Sequence, residues 1–175
     1  MAALGSAAFL VLAPGVMAGL LPWLLTGWDA GDAPLPLQIA GWSLIAVGLA
    51  ALLHSFARFV TEGRGTPAPV APTERLVVGG LYRYVRNPMY VAVTALIVGQ
   101  ALVLGRPGLL LYALAFFLVT SAFARFYEEP VLRERYGSQY DEYRRAVPAW
   151  LPRRRAFQAL SSSRAIVSGS SHIGT

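Results

Sequence analysis

Long apolar blocks constrain the fold of this chain more than any other feature of its sequence. There are four, at residues 4–28, 37–60, 89–104 and 109–126. A transmembrane helix needs about 20 consecutive apolar residues, and the first two blocks reach that length. A soluble domain of this size would carry far more than 14% charged residues. We therefore expect an all-α, polytopic membrane protein with about four transmembrane helices.

The third and fourth blocks are joined by only four residues, Gly105-Arg106-Pro107-Gly108. So short a joint predicts a helical hairpin whose two ends emerge on the same side of the membrane. The third block has 16 residues. As a helix it is about 24 Å long against a hydrocarbon core of about 30 Å, so the hairpin either just spans the membrane or is partly re-entrant. In both cases the polar clusters that flank the hairpin are expected to meet.

Arginine supplies all of the basic side chains, because the sequence has no lysine, and the formal net charge is +6. Residues 29–36 hold no arginine, whereas residues 61–90 and the segment after the hairpin hold most of them. The positive-inside rule then places both termini and both polar clusters on the cytoplasmic face. Arginine beside membrane helices indicates contact with anionic membrane lipids rather than with nucleic acid.

The sequence contains no cysteine, which excludes disulfides, thiolate nucleophiles and cysteine-ligated metals. His54 is expected at the end of a helix, and His172 lies far along the chain in a polar tail. We therefore predict no metal site.

The predicted domain organisation is one membrane domain, residues 1–155, followed by a disordered Ser/Gly-rich tail, residues 156–175. Within the domain, residues 1–60 form two N-terminal transmembrane helices. A proline-containing cytoplasmic linker, residues 61–80, then leads to the hairpin and C-terminal segment, residues 81–152.

The first polar cluster is Gly80-Leu81-Tyr82-Arg83-Tyr84-Val85-Arg86-Asn87-Pro88-Met89-Tyr90. Pro88 suits the first position of a helix and Asn87 is a favourable N-cap, so the hairpin presents the positive end of a helix dipole here. Such an end binds anions. The alternative is a capped helix with its arginines among lipid headgroups and its tyrosines in an aromatic belt.

The second polar cluster, Arg125-Phe126-Tyr127-Glu128-Glu129-Pro130, lies at the end of the last apolar block. Ionisable groups at membrane depth are costly and tend to be functional or paired. Arg125 can pair with Glu128 or Glu129 at helical spacing, which is the purely structural interpretation. Because the hairpin brings these carboxylates close to Arg86, the sequence also predicts a pocket suited to a zwitterion such as an amino-acid moiety.

An amphipathic segment follows, with short helices predicted at residues 130–136 and 139–146. Gly137 is expected to end the first helix, and Ser138 with Asp141 approximates a capping box for the second. One face is aromatic and apolar, which fits an interfacial segment or a lid over the pocket. Its residues are Tyr136, Tyr140, Tyr143 and Val147.

The order and spacing of these motifs resemble the isoprenylcysteine carboxyl methyltransferase and phospholipid methyltransferase superfamily. The resemblance covers roughly residues 75–152 and rests on the first cluster with Glu128-Glu129, Leu132, Tyr136-Gly137, Tyr140, Tyr143 and Val147-Pro148. It implies a helical membrane enzyme that binds S-adenosylmethionine and methylates a lipophilic substrate entering from the bilayer. Many members have histidine before the proline where this chain has Asn87, which puts a prenylcysteine substrate in question.

The resemblance also implies roles for individual residues. It assigns cofactor contacts to Tyr82, Arg83, Asn87, Pro88, Tyr90, Arg125, Glu128 and Glu129. The two glutamates are expected near the cofactor's ribose or amino group, while arginine or backbone N–H groups suit its carboxylate. We predict that Arg86 orients an acidic or polar substrate head and that Glu129 is either the cofactor anchor or a general base.

Two other classes of membrane protein are alternatives to a methyltransferase. Membrane sterol and enone reductases have a similar hairpin and C-terminal pattern but use NADPH. A reductase therefore requires a site for the extra phosphate of NADPH. The Val147-Pro148 ending favours the methyltransferase. A non-catalytic membrane scaffold, such as a lipid-binding or assembly factor, is the other. The expected acceptors, in falling order, are an amine headgroup lipid, a carboxylate or thiol of a small lipophilic molecule, and a prenylcysteine. Nothing in the sequence determines the oligomeric state.

Overall fold

The computed structural model of this protein describes residues 12–63 and 76–158. Within these ranges the regular structure is entirely helical, without a strand. A short 3-10 turn, Gly80–Arg83, precedes the hairpin. The helices are α1 (Leu12–Thr26), α2 (Leu35–Gly63), α3 (Pro88–Leu104), α4 (Gly108–Tyr136) and α5 (Ser138–Ala146). The all-α prediction is confirmed.

Two of these helices are long and apolar enough to cross a membrane, over Leu35–Glu62 of α2 and Gly108–Tyr136 of α4. The helices α1 and α3 are also apolar but shorter. Large hydrophobic side chains such as Trp42, Leu111 and Leu118 lie exposed on the outer surface, as expected of side chains that face lipid. The predicted membrane class is therefore confirmed.

Glycines let α2 and α3 pack closely against each other. A Cβ atom added at Gly99 would lie 2.6 Å from Ile45 Cγ1 and 2.8 Å from the Gly41 carbonyl oxygen. One added at Gly48 would lie 3.1 Å from the Ala92 carbonyl oxygen. Lipid is as apolar as a helix surface, so van der Waals contact between small residues is a main cause of helix association in a bilayer. The main buried cluster lies at this interface and extends to α4.

The helix α1 contains a widened π turn, Val16–Leu20. Carbonyl groups of this turn accept hydrogen bonds from side chains of neighbouring helices. The Gln100 side chain donates to the Ala18 carbonyl over 2.7 Å, and the Tyr112 hydroxyl donates to the Met17 carbonyl over 2.8 Å. Polar backbone groups at membrane depth must be satisfied within the protein. These two bonds therefore attach α1 to both helices of the hairpin.

The predicted hairpin turn between α3 and α4 is confirmed. Gly105 ends α3 in a left-handed conformation, φ 62°, which favours glycine. The loop between α1 and α2 lies at this end too, because the Gly31 N–H donates to the Leu104 carbonyl over 2.8 Å. The two polar clusters lie together at the opposite end of the hairpin, where Arg86 contacts Glu129.

The short helix predicted at residues 130–136 is helical but not separate, because α4 runs through Pro130. Proline has no N–H for the Phe126 carbonyl, and its ring clashes with that carbonyl in a regular helix. A widened π turn, Ala124–Glu128, accommodates the proline, and the Glu129 N–H donates to the Ala124 carbonyl. The second polar cluster therefore lies on a widened turn inside a long helix.

Two predicted boundaries also shift. The helix α2 extends to Gly63, inside the predicted linker, and the linker residues 64–75 lie outside the described residues. The predicted tail begins too early, because the Phe157 ring packs edge-on against Tyr143 with ring centroids 5.6 Å apart. Residues 159–175 of that tail lie outside the described residues.

The predicted helix caps are only partly correct. Asn87 does occupy the N-cap of α3, but its side chain makes no capping hydrogen bond and instead donates to the Ala149 carbonyl over 3.3 Å. The capping box at Ser138 is wrong, because this residue is the first of α5 and makes no side-chain cap. Its expected partner, Asp141, pairs with Arg133 over 3.1 Å instead.

Replacing Gly99 with alanine tests the packing of α2 on α3. Helix propensity alone would stabilise the protein by up to about 1 kcal/mol. Because the added methyl group would overlap Ile45 and a backbone oxygen, we expect a net loss of about 1–3 kcal/mol in the free energy of unfolding. Thermal unfolding in detergent micelles measures the change.

The matched control is Gly108→Ala, since a Cβ atom at Gly108 meets no atom of the described residues within 4 Å. Its stability should be unchanged or slightly higher. A Gly99→Ala protein as stable as this control would contradict the close packing of the two helices.

Candidate active site

One carboxylate, that of Glu129, joins three arginines from three segments of the chain. Its Oε1 accepts a hydrogen bond from Arg86 Nη1 at 2.9 Å. Its Oε2 accepts from Arg125 Nη1 at 3.0 Å and forms an ion pair with Arg144 Nε at 3.1 Å. The side chains of Arg86 and Glu129 are 12% and 13% exposed, so this ion pair is shielded from solvent. We call these four residues the Glu129 cluster.

Contacts from the C-terminal segment hold Arg86 in place. The backbone N–H of Arg86 donates to the Pro148 carbonyl over 2.9 Å. The Tyr143 hydroxyl donates to the Tyr82 carbonyl over 2.7 Å, and burial raises the pKa of this hydroxyl, so it stays a neutral donor. The segment after α5 thus fixes the turn that precedes α3. This contact gives the Val147-Pro148 motif a structural role.

A main cavity of about 400 Å³ adjoins the Glu129 cluster. One part of its lining is polar and includes Tyr82, Arg86, Tyr90, Glu128, Glu129 and Tyr140. The remaining walls are largely apolar and come from α1, α3 and α4, including Met17, Val93, Phe116 and Phe123. The volume lies in the range of about 300–1,000 Å³ that is typical of small-molecule sites. The cavity therefore suits a ligand with a charged end and an apolar body.

The two adjacent glutamates have different surroundings. Tyr90 Oη donates to Glu128 Oε1 over 2.7 Å, and within the described part of the chain Glu128 accepts no other hydrogen bond. Glu129 already accepts hydrogen bonds from two guanidinium groups and pairs with a third, and a carboxylate has only about four lone-pair positions. Glu128 is therefore the carboxylate that is available to a ligand.

A glycine turn links the end of α2 to the polar part of the cavity. Glu62 accepts a hydrogen bond from the Gly79 N–H at 2.9 Å and pairs with Arg58 at 3.0 Å. Gly80 has a left-handed φ of 54°, and a Cβ atom there would lie 2.6 Å from His54 Nε2. No sequence motif indicates this contact, because only the folded α2 brings Glu62 to the glycines.

Most of the predicted site residues line the main cavity, namely Tyr82, Arg86, Asn87, Pro88, Tyr90, Glu128 and Glu129. Arg83 does not, because its Nε donates to the Phe157 carbonyl over 2.8 Å. Arg125 lines a second cavity of about 240 Å³, which shares Arg86 and Glu129 with the main one. Arg144 joins the Glu129 cluster without a sequence signal of its own, since a single arginine on an amphipathic helix is ordinary.

The described histidine, His54, lies beside the glycine turn rather than in either cavity. The other, His172, lies outside the described residues. Across the described ranges, no three His, Cys, Asp or Glu side chains are grouped to hold a metal ion.

These features define a class of protein: a helical membrane protein whose polar residues converge on an amphipathic cavity at one end of a helical hairpin. The family model for phospholipid methyltransferases matches residues 37–139, more than half of the chain. The chain therefore belongs to the phospholipid methyltransferase family. This family is part of the membrane methyltransferase superfamily that the sequence motifs resemble, so that resemblance is confirmed. A comparison with curated proteins found no match.

Replacing Glu129 with glutamine tests whether the Glu129 cluster holds together the turn before α3, α4 and α5. The change leaves the shielded Arg86 guanidinium without its countercharge. We expect the free energy of unfolding to fall by about 3 kcal/mol, as for other ion pairs broken at poorly exposed sites. Unfolding in detergent micelles, followed by far-UV circular dichroism, measures this loss.

Glu134→Gln is the matched control, because Glu134 is exposed on the same helix and has no ion pair in the described structure. Its stability should change by less than about 0.5 kcal/mol. Equal stability of the two variants would show that Glu129 does not hold the segments together.

Proposed function

We propose that this protein transfers a methyl group from S-adenosylmethionine to a lipophilic acceptor held in the membrane. The observation that carries the proposal is the main cavity, which combines charged groups with apolar walls in a member of a methyltransferase family. S-adenosylmethionine carries a zwitterionic amino-acid end, a sulfonium and an aromatic base. A ligand of this kind needs both types of wall.

The polar residues of the cavity fit this cofactor. Glu128 has one oxygen that accepts from Tyr90 and another that is available to the cofactor's ammonium group or ribose hydroxyls. Arg86 lines the same cavity and offers a guanidinium group to the cofactor's carboxylate. The rings of Tyr82 and Tyr136 also line the cavity and suit a sulfonium or a purine base.

Bound S-adenosylmethionine supplies a methyl group that its positively charged sulfur already activates. The residues of this chain have to keep the nucleophile, the methyl carbon and the leaving sulfur in line and to exclude water. Tyr140 and Tyr143 suit the second task, because they line the cavity from α5 and are only 3% and 4% exposed. The amphipathic segment thus acts as a lid, which is one of the two roles that its sequence pattern fits.

The apolar walls of the cavity suit the acceptor. Met17 of α1 and Phe123 of α4 both line the cavity and are 38% and 36% exposed, so the cavity borders the surface that faces lipid. The acceptor enters there from the bilayer. An amine headgroup lipid is the first candidate, followed by a carboxylate or thiol of a small lipophilic molecule and then by a prenylcysteine.

The roles of the predicted catalytic residues follow from their partners. Glu129 anchors arginines, because three guanidinium groups occupy its oxygens and leave little room for a proton from the acceptor. Arg86, which this carboxylate holds, orients the cofactor's carboxylate or a polar substrate head. Glu128 takes over the role of cofactor anchor.

The polar end of the hairpin faces the cytoplasm in this account, and both termini lie on the same side. The support is the distribution of arginine. The Glu129 cluster contributes three arginines at this end. The opposite end carries Asp29, Asp32 and the hairpin-turn residue Arg106.

Ligand-induced stabilisation tests the choice of cofactor. A ligand that binds the native state must raise its thermal stability by mass action. We expect S-adenosylmethionine and its demethylated product to raise the unfolding temperature of the detergent-purified protein, and NADPH to leave it unchanged. Protection by NADPH alone would replace the methyltransferase assignment with a reductase.

Replacing Glu128 with glutamine tests the proposed anchor. Loss of a charge-assisted hydrogen bond costs about 1.5–3 kcal/mol, so affinity for S-adenosylmethionine should fall by about tenfold or more. Glu142→Gln, at an exposed position of α5, should bind as the unchanged protein does. Isothermal titration measures both affinities. Unaltered binding by the Glu128 variant would exclude this carboxylate as the anchor.

A further inference from the structure

The second cavity, of about 240 Å³, carries an excess of positive charge. Its lining includes Arg86, Arg125 and Arg144, against which stands the single carboxylate of Glu129. Three positive charges and one negative charge leave a net charge of +2 around the cavity. A site of this charge attracts anions.

A hydroxyl group on the wall of this cavity lacks a partner. Hydroxyls elsewhere in the described helices donate to the carbonyl four residues back, as at Ser43, Ser55, Thr94 and Thr120. Ser121 lines the second cavity, and its Oγ is buried without a hydrogen bond to any of the described residues. Burial of an unpaired hydroxyl is costly, so a partner from outside the chain is expected there.

A second residue of the same lining also has an unpaired donor. Arg86 Nη1 donates hydrogen bonds to Glu129 and Tyr140, but Arg86 Nε is buried and has no acceptor among residues 12–63 and 76–158. This N–H belongs to the turn before α3, whereas Ser121 belongs to α4. Two elements of the fold thus each contribute to the lining of one small cavity a residue that has an unsatisfied donor.

We propose that the second cavity binds a phosphate group. A phosphate has several oxygens that point in different directions, so it can accept from Arg86 Nε, from Ser121 Oγ and from an arginine at the mouth at the same time. Arg125 and Arg144 suit the mouth, because their side chains are 59% and 32% exposed and each guanidinium keeps donors that Glu129 does not use.

The phosphate has two possible sources, the headgroup of a membrane phospholipid and free inorganic phosphate. Both present the same tetrahedral oxyanion. The phosphate site does not depend on the proposed methyl transfer, because it is inferred only from the positive charge of the cavity and from the unsatisfied donors. Binding can therefore be measured without any turnover.

Thermal unfolding of the full-length protein in a phosphate-free detergent tests the site. Inorganic phosphate is titrated at constant ionic strength, and a short-chain phosphatidylcholine is titrated in parallel with the diacylglycerol that has the same chains. We expect saturable stabilisation by a phosphate-bearing ligand and none by the diacylglycerol. If only phosphatidylcholine raises the unfolding temperature, the site binds a lipid headgroup. If inorganic phosphate raises it as well, the site accepts a phosphate group from either source.

Ser121→Ala is the sharpest variant, because removal of an unpaired hydroxyl should leave the ligand-free protein as stable as before or more stable. Its affinity for the phosphate-bearing ligand should nevertheless fall by about tenfold. Arg144→Gln should weaken binding as well. Arg145→Gln, an exposed neighbour outside both cavities, should bind normally.

General stabilisation by excluded salts would act equally on all variants. A phosphate effect that is identical in the Ser121→Ala and Arg145→Gln proteins would overturn the proposal. So would a complete absence of stabilisation by both phosphate and phospholipid.

Discussion

The ion pair between Arg86 and Glu129 is the contact on which the candidate site depends. Charged groups with so little exposure are costly unless they are paired, and the cost is greatest near a membrane. Here the pair joins the turn before α3 to the middle of α4, and Arg144 adds α5 to the same carboxylate. One glutamate therefore holds together the three segments that line the polar part of the main cavity.

The helices supply the frame that brings this pair together. Gly41, Gly48 and Gly99 allow α2 to lie against α3, and the short turn at Gly105 returns the chain so that α4 lies beside α3. Pro130 then widens α4 by a π turn and sets the direction of the side chains that follow it. Helix packing at membrane depth thus determines the position of the charged groups at the polar end of the hairpin.

The sequence predicts the helices and the hairpin well, because long apolar blocks and a joint of four residues leave few other arrangements. It also predicts that the hairpin brings the two glutamates close to Arg86, which contacts Glu129. It does not separate Glu128 from Glu129, since one step along a helix turns the first towards Tyr90 and the second towards the arginines. Proline in a helix can cause a break or a widened turn, and local sequence does not distinguish them. The contact of Glu62 with Gly79 depends on the fold of α2 and has no local signal.

Methyl transfer itself is the most direct test of the central claim, that the main cavity joins an S-adenosylmethionine site to a lipophilic acceptor site. The protein is reconstituted into vesicles of mixed phospholipids and incubated with S-adenosylmethionine that carries a radiolabelled methyl group, and the label is then counted in the organic extract. We predict label in the lipid fraction, and clearly less of it when Glu128 is replaced with glutamine and the cofactor concentration is near the dissociation constant of the unchanged protein. Cofactor binding without transfer of label to any lipophilic acceptor would contradict the claim and would identify a non-catalytic membrane scaffold.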